Sequence, residues 1–128
     1  HLKAAGRKTR SERSWDLLYN EILNNASSFY YCKDKNGVMV GGSFIMENDF
    51  EAIYAVAAYE RELFNLPIGH FLQDFIIKDL LQTKKQWYRL GRKFHETDLD
   101  RPTNKEIQIG KFKSGFSTEL VANFRFSV

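Results

Sequence analysis

The chain has 128 residues, 43% of them hydrophobic and 27% charged, with a formal net charge of +3. That suits one domain of ordinary globular composition, and so mild a charge does not by itself mark a nucleic-acid binder. The single Cys excludes an internal disulfide and an all-cysteine metal site, and no apolar run nears the roughly 20 residues that span a bilayer. With no signal-peptide pattern either, a reducing, cytoplasmic setting is the expectation.

Residues 1–13 are basic, with Lys3, Arg7, Lys8, Arg10 and Arg13 against Glu12. They read as a solvated terminus or as a contact for phosphates. Residues 14–128 read as a single domain. Ser14 is a predicted helix N-cap, with Asp16 in the first turn. Trp15, Leu18, Tyr19, Ile22 and Leu23 then recur at helical spacing and would bury one stripe against a sheet. Asn24-Asn25 is the expected stop.

Residues 29–32 are aromatic and strand-like. Asn36-Gly37 is a strong hairpin signal, because both residues tolerate positive φ. The return strand, 38–46, contains Gly41-Gly42, which predicts a bulge or a close backbone approach, with a neighbouring substrate as the alternative. A second turn at Glu47-Asn48-Asp49 leads into a strand over 52–58. This strand is apolar almost throughout and so is expected to be central and covered on both faces. The three strands form an antiparallel meander.

Pro67 fits a first helical turn. Ile68, Phe71, Leu72, Phe75, Ile76, Asp79 and Leu80 follow helical spacing, with Asp79 the one polar member. The helix is predicted to end near Thr83-Lys84-Lys85. A helix between two apolar strands is the crossover that parallel pairing needs, so the strand over 87–90 should lie parallel to 52–58. Gly91 to Asn104 is a polar loop, and its His95, Glu96, Asp98 and Asp100 read as an acidic surface loop rather than a metal site. Thr103 or Asn104 caps a short predicted helix over 105–113, and alternation over 118–128 predicts a final strand. With 11 Phe and 6 Tyr the chain can build a large-residue core or an aromatic-lined cleft. There is no Ser–His–Asp arrangement, P-loop or Rossmann fingerprint.

This order, α+β with a central mixed sheet, an antiparallel meander, a long crossover helix and C-terminal strands, resembles the GNAT N-acetyltransferase superfamily. The initial strand and helix of that fold would be missing or replaced by the basic segment, making the domain a partial one. Pro67-Ile68-Gly69-His70-Phe71-Leu72, Tyr88-Arg89-Leu90-Gly91 and Phe112-Lys113-Ser114-Gly115-Phe116 are closest to the FemA/FemB-type, peptidoglycan-bridge branch. The resemblance covers roughly 52–116.

The resemblance implies an acyltransferase acting on a small-molecule or peptide amine. The strand before the long helix would splay from its parallel neighbour and hold the donor's pantetheine arm, here at Ala57 and Ala58. The pyrophosphate would sit at the helix start, at Leu66, Ile68, Gly69, His70 and Phe71, where orphan amides and the helix dipole attract an anion. Gly69 fits the family's phosphate-loop glycine. Phe64 and Pro67 depart from that motif, and Pro67 offers no amide. This departure points from acyl-CoA (acetyl-CoA) toward the FemA/FemB-like donor, an aminoacyl-tRNA. Glu60 would take the amine proton and Tyr59 would return one to the leaving group. No metal is expected. A second reading is a non-catalytic module that binds a protein or nucleic-acid partner through Lys84, Lys85, Arg89, Arg92, Lys93 and the basic N-terminus. Oligomeric state stays open, a dimer included.

Overall fold

The structure is a computed structural model and describes residue 2 and residues 6–122. The chain divides into two compact units, residues 1–91 and 92–128.

In the first unit, α1 spans Glu12–Leu23. Its cap is Ser11, not Ser14: the Ser11 hydroxyl accepts the Ser14 amide at 3.2 Å, which places Ser14 inside the first turn. The two serines lie three residues apart, and only the side-chain geometry separates them. Asn25 ends the helix in a left-handed conformation, at φ 56°. Strands β1 (Ser27–Lys33), β2 (Met39–Glu47) and β3 (Glu51–Tyr59) form the expected meander. The first turn is built as its sequence predicts. Gly37 adopts φ 80°, and the Asp34 carboxylate accepts the Asn36 and Val38 amides at 2.9 Å each.

A short 3-10 turn, Arg61–Leu63, leads to α2 (Ile68–Leu80), and the chain crosses over to β4 (Trp87–Arg89). The sheet order is β1-β2-β3-β4, with β4 parallel to β3. One face packs on α2: Ile45 and Ala52 meet Leu72, Ile76 and Leu80, with Tyr30, Tyr54, Tyr59 and Tyr88 around them. Asp79, the polar member of the helix stripe, accepts the Tyr30 hydroxyl at 2.7 Å.

Two expectations change here. β3 is not covered on both faces: only Ala52 is fully buried and the rest of the strand is half-buried, because α1 stands over an open cleft instead of sealing the second face. The final strand over 118–128 lies largely outside the described residues, and 118–122 carry no regular structure.

The second unit holds α3 (Asn104–Ser114), which begins with a complete capping box: Thr103 accepts the Glu106 amide while Glu106 accepts the Thr103 amide at 2.7 Å. In its preceding loop Arg92 pairs with Asp100 at 2.6 Å and Asp98 at 3.2 Å, and its guanidinium lies 4.5 Å from the Phe94 ring centre.

Candidate active site

β3 and β4 pair over three rungs only, Glu51–Trp87, Ala52–Tyr88 and Ile53–Arg89. Beyond Ile53, β3 continues for six residues, 54–59, with no strand on that edge among the described residues. Gly91, at φ 88°, turns the chain just after β4 ends. The backbone amides and carbonyls of alternate residues, Ala57 and Tyr59, are therefore left open along the second half of β3, while those of Ala58, opposite Gly42, turn to the β2 ladder that the Glu60 amide continues.

A bulge lies where the two strands part. In the β2–β3 register Phe44 faces Val56 and Ile45 faces Tyr54, so Ala55 is skipped. Residues five apart on a regular strand point to opposite faces; one extra residue restores them to the same face. Tyr54 and Tyr59 are accordingly together, with hydroxyls 3.0 Å apart, and the Tyr59 hydroxyl is 3.3 Å from that of Ser43. Nearby, the Tyr88 hydroxyl of β4 donates to Oε1 of Gln73, a fully buried residue of α2, at 3.0 Å. Burial pushes the Tyr54 hydroxyl well above the usual tyrosine range, and Tyr59 beside it adds to this. Burial raises Tyr88 likewise. Gln73 was not among the residues singled out from the sequence. One polar residue beside a helix's apolar stripe gives no sign of a partner on a distant strand.

The start of α2 lies one short loop beyond the end of β3. Several amides there are already used: Leu66 donates to Leu63, Ile68 to Leu66 and Phe71 to Pro67, each at 2.9 Å. The Gly69 amide, in the first turn, has no hydrogen-bond partner among the described residues. His70 is the next first-turn residue. The side chains of Leu66 and Phe71 are exposed, adding apolar surface beside these groups.

Glu60 follows β3 directly. Its amide donates to the Val40 carbonyl at 2.8 Å and so extends the ladder, and its carboxylate accepts the Arg61 amide at 3.2 Å. Glu60 borders a cleft of about 710 Å³ between α1 and the sheet face opposite α2. Trp15, Leu18, Tyr19 and Ile22 of α1 form one wall, and Phe29, Phe44 and Val56 form much of the other. Residues 56–60 all border it, so the cleft reaches the same strand end that carries the open edge.

Gly41 and Gly42, expected to mark a bulge or an open backbone, make room for rings. A Cβ on Gly41 would come within 2.8 Å of the Tyr59 ring, and one on Gly42 within 2.7 Å of the Phe29 ring. The skipped residue of the β1–β2 register is the adjacent Val40.

No protein-family model matches the chain, and no curated protein matches it in sequence. Solved structures do match it in fold. One is a crystal structure of a probable acetyltransferase, with TM-score 0.66 and 15% identity over 99% of this chain and 84% of that one. Another is an aminoglycoside acetyltransferase from an uncultured soil metagenomic sample, solved with sisomicin: TM-score 0.65, 12% identity, 94% and 78% covered. A third is a ribosomal-protein-alanine N-acetyltransferase from Brucella melitensis biovar Abortus 2308, with TM-score 0.61 and 11% identity, covering 92% and 83%. The fold is that of the GNAT acetyltransferases, an α+β architecture around a mixed sheet.

Proposed function

We propose that the protein is an N-acyltransferase that takes an acyl group from acyl-CoA and transfers it to an amine. The observation that carries this reading is the parting of β3 from β4 after three rungs, one loop before a helix start that retains a first-turn amide. The open edge at Ala57, and at Tyr59 two residues on, suits the amide groups of a pantetheine arm, which extend a strand as peptide groups do; the Ala58 backbone is turned to β2 and lends only its side chain. The Gly69 amide and the positive end of α2 suit a pyrophosphate, with His70 beside it and Leu66 and Phe71 offering apolar contact. Pro67 brings no donor to this cradle, and the Leu66, Ile68 and Phe71 amides are already bonded, so the anion contact falls to the Gly69 amide.

Acyl-CoA would supply an activated thioester carbonyl. Glu60 accepts the proton of the incoming ammonium, and the Tyr59 hydroxyl, oriented by Tyr54 and Ser43, returns a proton toward the leaving sulfur. The rest of catalysis is positioning, through the backbone of β3.

An aminoacyl-tRNA donor, as in FemA/FemB-type enzymes, is weighed down by the charge pattern. Arg89 is paired with Glu51, Arg92 with Asp98 and Asp100, and Lys85 with Glu47. The same pairing weakens the reading as a non-catalytic nucleic-acid module.

The test is thermal. Acetyl-CoA should raise the melting temperature, desulfo-CoA should do so too, and Gly69→Glu should abolish both shifts. No shift with either, together with salt-sensitive binding of aminoacyl-tRNA, would overturn the acyl-CoA reading.

A further inference from the structure

The cleft under α1 is lined mostly by apolar side chains. Its α1 wall is Trp15, Leu18, Tyr19 and Ile22, its sheet wall centres on Phe44 and Val56, and among the described residues Glu60 is the one formally charged residue that lines it. α1 buries none of its residues fully, so the apolar stripe that its sequence spacing defines is turned toward the cleft without filling it. We propose, resting on the acyl-transfer reading, that the acceptor is a small monoamine with an apolar aryl or alkyl body. The body lies between α1 and the sheet, and the amino group is at Glu60.

Three observations lead to this class. The volume, about 710 Å³, falls within the roughly 300–1,000 Å³ of small-molecule sites. The single acid matches a single ammonium. A polyamine or an aminoglycoside would place further cations against Trp15, Leu18 and Phe44, where each would lose hydration without a counter-charge. Residues 56–60 border both the cleft and the open edge of β3, so an amine held at Glu60 is beside the strand that would hold the donor.

The experiment pairs calorimetric binding of phenethylamine, hexylamine, spermidine and kanamycin with release of free CoA from acetyl-CoA in their presence. Phenethylamine and hexylamine should bind, and their kcat/KM should exceed that of spermidine and kanamycin by roughly tenfold or more, the discrimination expected when an apolar site meets extra charge. Leu18→Glu, which adds a second acid to the wall, should weaken phenethylamine by roughly tenfold and improve spermidine. Leu18→Ala, milder for folding, should weaken hexylamine and leave spermidine unchanged. Preference for spermidine or kanamycin overturns the proposal, as does phenethylamine binding that neither Leu18 variant alters. If the apolar amines bind as described and no amine releases CoA, the acyl-transfer reading fails and the ligand class of the cleft stands. If CoA is released only with the polycations, acyl transfer stands and the acceptor class fails.

Discussion

At the scale of single residues, Glu60 and Tyr59 are adjacent in sequence and separated by the pleat. Tyr59 shares a face with Tyr54 and Ser43, where its hydroxyl has two hydroxyl neighbours, and Glu60 borders the cleft. Their variants should therefore differ. Glu60→Gln keeps the shape of the carboxylate and removes its basicity, and should lower kcat by about a hundredfold or more, with acetyl-CoA binding intact. Tyr59→Phe should cost about tenfold in kcat, since the Tyr54 hydroxyl remains beside the site. Steady-state kinetics and acetyl-CoA titration of both variants check this; an unchanged kcat in Glu60→Gln would remove that residue from the mechanism. Gly41 makes a separate test of packing. A Cβ there would meet the Tyr59 ring at 2.8 Å, Ile68 at 3.0 Å and the Cys32 sulfur at 3.1 Å, so the ring that orders the strand end must move. Gly41→Ala should lose about 1–3 kcal/mol in denaturant unfolding, the usual cost of overpacking. Equal stability would mean that the ring is free to shift. The sequence marked this glycine pair but not its purpose, because the rings that need the space come from β1 and β3, 12 or more residues away in the chain.

At the scale of elements, the unit β3–loop–α2–β4 was legible because each link has a local cause. The apolar run, the Pro at the helix entrance, the helical spacing of Ile68, Leu72 and Ile76, and the crossover rule all point one way. Where the pairing of β3 and β4 stops was not legible, since the bulge at Ala55 lies within an ordinary apolar run. The role of α1 was hidden for a related reason. Trp15, Leu18, Tyr19 and Ile22 give the same helical stripe whether they seal a core or line a cleft. The structure holds α1 lightly, with no fully buried side chain and a cap from Ser11. Ser11→Ala should cost about 1 kcal/mol of helix stability. Because α1 is the cleft wall, the loss should appear as a higher KM for the amine with the KM for acetyl-CoA unchanged. In hydrogen exchange the amides of α1 should be the first to lose protection. A variant whose α2 amides are deprotected as readily as those of α1 would show that the two helices open together, contrary to this view.

At the scale of the whole molecule, the described core is small in aliphatics and large in tyrosine. Ile45, Ala52, Leu72, Ile76 and Leu80 form its centre, and Tyr30, Tyr54, Tyr59 and Tyr88 surround it. Composition announced the aromatic share, and helical spacing placed Asp79 on the inward stripe. That Tyr30 answers Asp79, and Tyr88 answers Gln73, depends on tertiary pairing that no local pattern carries. These buried hydroxyls give the fold a pH dependence whose sign can be worked out. Tyr30 is pushed well above the ordinary tyrosine range by burial first, then by its hydrogen bond to the Asp79 carboxylate and by that group's charge. Tyr54 and Tyr88 are raised mainly by burial. In the unfolded chain all three ionise near the ordinary value of about 10. Below that pH both states hold the protons, and the three add no slope. Above it the unfolded chain releases protons that the folded chain keeps, so stability falls as pH rises. These three tyrosines should therefore leave the melting temperature unchanged on the alkaline side of neutrality and lower it from about pH 10 upward. Tyrosinate absorbance from these residues should appear together with the loss of helical ellipticity, because they cannot ionise until the core opens. Tyr54→Phe should flatten the alkaline slope, as one of the three protons no longer differs between the states. If all tyrosinate absorbance instead develops while the ellipticity is still native, the hydroxyls are reached by solvent in the folded state, and the tyrosine layer between the sheet and α2 is looser than described.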